Sequence, residues 1–112
     1  MIIRGFDEKK YYTIAKASGS KQASDDVKYA RLAFYKRPGA EYAERIDDDS
    51  YILCYRGLNV FRIIGLATRE DMKGKGLAGM LLKRALNFAR MGGVQERLHL
   101  HKGRQRILSM VR

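Results

Sequence analysis

A chain of 112 residues with 46% hydrophobic and 31% charged content suits one domain spanning 1–112 that buries roughly 65% of its unfolded surface, and excludes a disordered or membrane-embedded protein. The single cysteine excludes an internal disulfide, and no apolar run approaches the length of a bilayer-crossing helix. The net charge of +11 is uneven: residues 73–112 hold ten Lys or Arg against Glu96 alone, so this stretch attracts polyanions such as nucleic acid. Residues 1–10 have neither the charge order nor the apolar core of a signal peptide, and a cytoplasmic location is expected.

Residues 1–5 read as a short strand built on Ile2 and Ile3. Asp7 has the side chain of a helix cap, and Tyr11, Ile14 and Ala15 then recur on one helical face as far as about Ser18. Residues 17–20 break the pattern. A second helix is expected to start at Ser24 or Asp25, to turn Val27, Leu32 and Phe34 inward, and to stop at Arg37-Pro38-Gly39. Residues 41–46 and 50–55 read as strands joined by a solvated loop, Asp47-Asp48-Asp49, which lacks the spaced oxygen ligands of a metal site. Cys54, inside the second apolar run, reads as a core residue. Residues 59–68 are dense in Val, Phe and Ile, as in a strand buried on both faces, which completes a three-strand meander.

Residues 66–79, LATREDMKGKGLAG, carry the clearest functional signal. Gly74 and Gly76 let the backbone approach a ligand without an intervening Cβ. A helix with Leu77, Leu81, Ala85 and Phe88 at helical spacing follows over residues 77–91 and stops at Gly92-Gly93. Its first N–H groups and the positive end of its dipole suit an anion, most naturally a pyrophosphate, and Lys73 and Lys75 add positive charge. Residues 96–102 then read as a fifth strand, with Leu98 and Leu100 on one face and His99 and His101 on the other. Two histidines without a third ligand are not a metal site, although either can carry a proton. Residues 104–112 read as a short basic helix. No metal site is expected.

Lys73-Gly74-Lys75-Gly76-Leu77-Ala78 resembles the acetyl-coenzyme A loop of the GNAT acetyltransferase superfamily, usually Gln/Arg-x-x-Gly-x-Gly/Ala, here with Lys in the first position. The flanks agree with it: Leu66-Ala67-Thr68 stands where that family's fourth strand ends, and Leu81-Leu82 where its next helix carries an apolar pair. The resemblance covers residues 59–93 most strongly. It implies an α/β fold, a mixed sheet of antiparallel N-terminal strands with a parallel fourth and fifth strand pair, flanked by helices. It also implies an N-acetyltransferase moving an acetyl group from acetyl-coenzyme A to an amine of an unidentified acceptor. In that resemblance, backbone groups near Leu66 and Thr68 pair with the pantetheine arm and face the developing oxyanion, while amides from Gly74 to Ala78 hold the pyrophosphate. The implied cofactor residues are therefore Leu66, Thr68, Lys73, Gly74, Lys75, Gly76, Leu77 and Ala78. Lys73 keeps the charge of the family's Arg but not its planar fork.

The resemblance also puts the first two helices beside an acceptor groove, so Tyr29, Phe34 and Tyr35 belong either there or in the core. The tyrosine that many members use to protonate the leaving thiolate is missing, because its position falls at Met110 or Val111. Glu41 and Glu44 are candidate bases by position only, and no catalytic residue is assigned. Family members continue through two further strands. Without them the fifth strand would be an open edge, which predicts a homodimer or a partner protein that completes the sheet. Two other readings stand beside the enzyme: a catalytically incomplete fold that binds coenzyme A or a partner, and a nucleic-acid-binding protein acting through its basic C-terminal half.

Overall fold

In the computed structural model, which describes residues 1–91 and, beyond them, the backbone of two strands, local sequence signals set most element ends. β1 (Ile2–Arg4) leads to α1 (Glu8–Ala17), where the Asp7 carboxylate accepts from the Lys10 N–H at 3.1 Å as a cap. α2 (Ala23–Lys36) begins earlier than Ser24 or Asp25. Gln22 holds the cap position without a side-chain bond, and the Ser20 hydroxyl accepts from the Gln22 N–H at 3.0 Å to turn the chain into the helix. β2 (Glu41–Ile46), β3 (Ser50–Arg56) and β4 (Phe61–Thr68) follow, then a 3-10 turn (Glu70–Met72), α3 (Leu77–Met91), β5 (Gln95–Leu100) and β6 (Arg106–Val111).

β1 to β4 form one antiparallel sheet in sequence order. Side chains alternate along β3, so Tyr51 and Leu53 face α1 and α2 while Ile52 and Cys54 face α3. With both faces covered, the middle of the strand, residues 51–54, is buried and carries no charge. Tyr11 and Ile14 of α1 and Val27 and Ala30 of α2 fill one side; Leu81, Ala85 and Ala89 of α3 fill the other. Burial pushes the Cys54 thiol well above its usual pKa, which removes any nucleophilic role. Leu32 is exposed rather than inward, because the inner stripe of α2 runs through Ala23, Val27 and Ala30, small side chains that let the helix lie close to the sheet.

The β3–β4 register steps at Leu53/Cys54, which pair with Gly65 and Ile63, so Ile64 is the inserted residue of a bulge. Gly65 has to be glycine: an ideal Cβ would lie 2.1 Å from the Tyr11 hydroxyl oxygen and 2.8 Å from the Asp26 carboxylate. Those two groups, one from each helix, meet over β4, Tyr11 donating to Asp26 at 2.6 Å. Burial first, and then the Asp26 charge, push the Tyr11 pKa far up, so it stays a donor.

Two expectations fail here. Residues 106–111 are a strand and not a basic helix: β6 pairs antiparallel with β5, Gln95 opposite Val111 and Leu100 opposite Arg106. An isolated helix this short is marginal, whereas pairing with β5 gives both segments a ladder. The parallel pairing of the fourth and fifth strands is likewise absent among the described ladders, because β5 pairs with β6 and it is β6 that lies close to β4.

Candidate functional site

β4 delivers Leu66 and Thr68, two residues apart and so on one face, to the strand end beside the start of α3. Thr68 is fixed there by its hydroxyl, 2.8 Å from that of Ser50. Arg69 makes the turn that follows. Its N–H donates to the Asp49 carbonyl at 2.8 Å, and its guanidinium pairs with Asp49 at 3.6 Å and Asp71 at 2.8 Å, tying the 3-10 turn to the β2–β3 loop. Gly74 and Gly76 have φ of +82° and +78°, the left-handed region, and a Cβ at either would meet nothing within 4 Å. Conformation rather than crowding therefore selects glycine at both. The Gly76 carbonyl accepts from Met80 N–H at 3.0 Å as the first helical bond, which leaves the N–H groups of Leu77, Ala78 and Gly79 ahead of the ladder at the positive end of the dipole.

The outcome is a groove of about 430 Å3 between Leu66 and Thr68 on one side and the 72–79 loop on the other. Lys73, Gly74, Gly76, Leu77 and Ala78 line it as well; Lys75 does not. The Lys75 ammonium lies 3.8 Å from the Met72 sulfur. Lys73 pairs with Glu70 at 2.7 Å and donates to the Ser18 carbonyl at 3.1 Å, binding the loop to the end of α1. The groove thus presents backbone N–H groups more than unpaired lysine charge. Gly79 also lines the groove and was not among the expected residues. The signal was in the sequence, since Gly74-x-Gly76-x-x-Gly79 is a complete glycine triplet. In dinucleotide-binding folds such a triplet follows a parallel strand of a βαβ unit, whereas β4 is antiparallel to β3.

The two candidate bases stand elsewhere. Glu44 is buried and accepts from Arg84 Nε and Nη2 at 3.0 Å each, from Arg4 Nη2 at 3.1 Å and from the Tyr42 hydroxyl at 3.0 Å. Burial by itself raises its pKa, but Arg84 and Arg4 outweigh that and hold the carboxyl below its ordinary value. A carboxylate so clamped is a strut joining β1, β2 and α3, not a proton acceptor. Glu41 is exposed at the far end of β2 from the groove. Each carboxylate of the aspartate loop pairs with a cation: Asp47 with the N-terminal ammonium at 3.1 Å, Asp48 with Lys10 at 2.9 Å, and Asp49 with Arg69. Among the described residues no group of His, Cys, Asp and Glu has the geometry of a metal site. Phe34 packs edge-on against Phe6 at 5.2 Å, whereas Tyr29 and Tyr35 are exposed. The side chains of His99, His101, Met110 and Val111 lie outside the described residues. No described helix is long and apolar enough to cross a membrane.

The family model described as acetyltransferase (GNAT) family matches residues 29–107, which include β2 to β5 and the whole groove. Neither a curated protein nor a solved structure matches the chain.

Proposed function

The chain belongs to the acetyltransferase (GNAT) family, and on that premise we propose that it is an N-acetyltransferase with acetyl-coenzyme A as donor and an amine as acceptor. The observation that carries this reading is the groove itself, in which a strand end, a glycine loop and the start of α3 converge on one space. A pyrophosphate needs several N–H donors aimed from one side. The residues around Gly76, where the helix has not yet begun to pair its amides, supply them. Leu66 and Leu77 offer apolar flanks to a pantetheine arm.

The bound donor supplies a thioester, an acyl group activated toward amines. The chain's part is to hold that carbonyl against β4 and to present a backbone N–H between Leu66 and Thr68 to the charge that develops on its oxygen, an interaction typically worth about a hundredfold or more in rate. A thermal melt with and without acetyl-coenzyme A, in the parent and in Gly76→Asp, tests the reading. Donor at about a hundredfold its dissociation constant should stabilise the parent by roughly 2.7 kcal/mol. The variant, with a negative side chain in the loop, should show no such gain. A parent that does not respond would sink the proposal.

One observation favours a second reading, a fold that holds coenzyme A without transferring from it: Glu44 is committed to Arg4 and Arg84. Release of free thiol from acetyl-coenzyme A on addition of amines separates the two.

A further inference from the structure

At the opposite end of β4 a second cleft, about 460 Å3, opens between the end of α2 and the β3–β4 turn. Its lining joins exposed apolar surface to charge of one sign. Tyr29, Leu32 and Leu58 are 50%, 54% and 75% exposed. Lys36, Arg37 and Arg62 stand with them, and among the described residues no carboxylate contributes. Among the described residues none of these three cations is within ion-pair distance of an acid. Glu41, across the β2–β3 ladder from Tyr55, is the nearest acid by register and does not line the cleft.

Large apolar side chains and cations of one sign gathered in a concave surface call for a ligand with both flat apolar faces and negative charge. Single-stranded nucleic acid has both: bases stack on tyrosine, and phosphates take Lys and Arg. A duplex hides its base faces, and an acidic peptide brings charge without stacking planes. We propose that this cleft binds a segment of single-stranded nucleic acid, with a base on Tyr29 and backbone phosphates on Lys36, Arg37 and Arg62. The +11 net charge fits such a polyanion. The site is separate from the donor groove: the two share no lining residue, and Arg62 of the cleft and Leu66 of the groove stand four residues, roughly 13 Å, apart along β4.

Fluorescence anisotropy of the full chain with a short labelled oligouridine tests the proposal. Tyr29→Ala is expected to weaken binding about tenfold without altering its salt dependence, because it removes a stacking face and no charge. Arg37→Ala and Arg62→Ala should each weaken it and make the slope of log affinity against log salt shallower by about 0.7. Lys83→Ala, the same charge change on the exposed side of α3, should leave affinity within about twofold at physiological salt. Gly76→Asp should bind oligouridine like the parent, so loss of donor binding and loss of this site register separately. Circular dichroism melts establish that each variant is folded. The proposal is overturned if folded Tyr29→Ala binds like the parent. It is equally overturned if a duplex or polyglutamate competes as well as unlabelled oligouridine, the latter pointing to an acidic protein partner.

Discussion

The two ends of β4 handle positive charge in opposite ways. At the Thr68 end most of the described cations are answered by an acid: Arg69 by Asp49 and Asp71, Lys73 by Glu70, Lys10 and Arg45 by Asp48. What remains to meet an anion there is backbone, presented by two glycines in left-handed conformation. At the Phe61 end Lys36, Arg37 and Arg62 line a cleft to which, among the described residues, no carboxylate contributes. A net charge of +11 therefore does not say which cations are available; local neutralisation does. The groove should accordingly be sensitive to backbone geometry and the cleft to side-chain charge.

The largest effect is expected where the two ends are joined. Gly65→Ala puts a Cβ 2.1 Å from the Tyr11 hydroxyl and should cost roughly 3 kcal/mol in urea unfolding, because α1 must retreat from β4. A cost near zero would mean that the Tyr11–Asp26 pair does not pin the strand. Next, Glu44→Gln should cost about 2 kcal/mol, since it weakens charge-assisted bonds to Arg4 and Arg84. The Glu44 pKa is lowered on folding, so its stabilisation is complete above the ordinary value of 4.5 and is lost as pH falls through the folded value. The parent should lose stability below about pH 4.5 more steeply than Glu44→Gln, as followed by urea midpoints at several pH values.

Smaller changes sharpen the contrast between groove and cleft. Gly79→Ala lies in the first turn of α3 with open space at the Cβ, so the protein without ligand should gain about 0.5–1 kcal/mol of stability. Its methyl group enters the groove, and the rise in melting temperature with acetyl-coenzyme A should shrink. The smallest effect is expected from Lys73→Ala. Because Lys73 is already paired with Glu70, donor affinity by calorimetry should change by no more than about 0.5 kcal/mol. A loss of tenfold or more would show that the lysine leaves Glu70 to meet the donor, and would erase the distinction between the two ends.

The glycine loop, the helix after it and the strand meander were legible in the sequence because each is written within a few neighbouring residues. Asp7 sits beside the helix it caps, Leu81 and Ala85 are one turn apart, and Gly74 and Gly76 announce a left-handed backbone by lacking a Cβ. Residues 106–111 were not legible. Ile107, Leu108 and Val111 suit a short helix as well as a strand, and only the ladder with β5 decides between them. Tertiary structure alone also decided the roles of charged and polar groups. Glu44 became a strut because Arg4 and Arg84, each forty residues away in the chain, both reach it. Gly65 became obligatory because Tyr11 and Asp26 meet above it, and the Lys73 ammonium, at the rim of the groove, was engaged by Glu70 and the Ser18 carbonyl. Backbone preference and hydrophobic period act over one or two turns of chain, so sequence determines them. Ion pairing and close packing act through space, so they exist only once distant segments have been brought together.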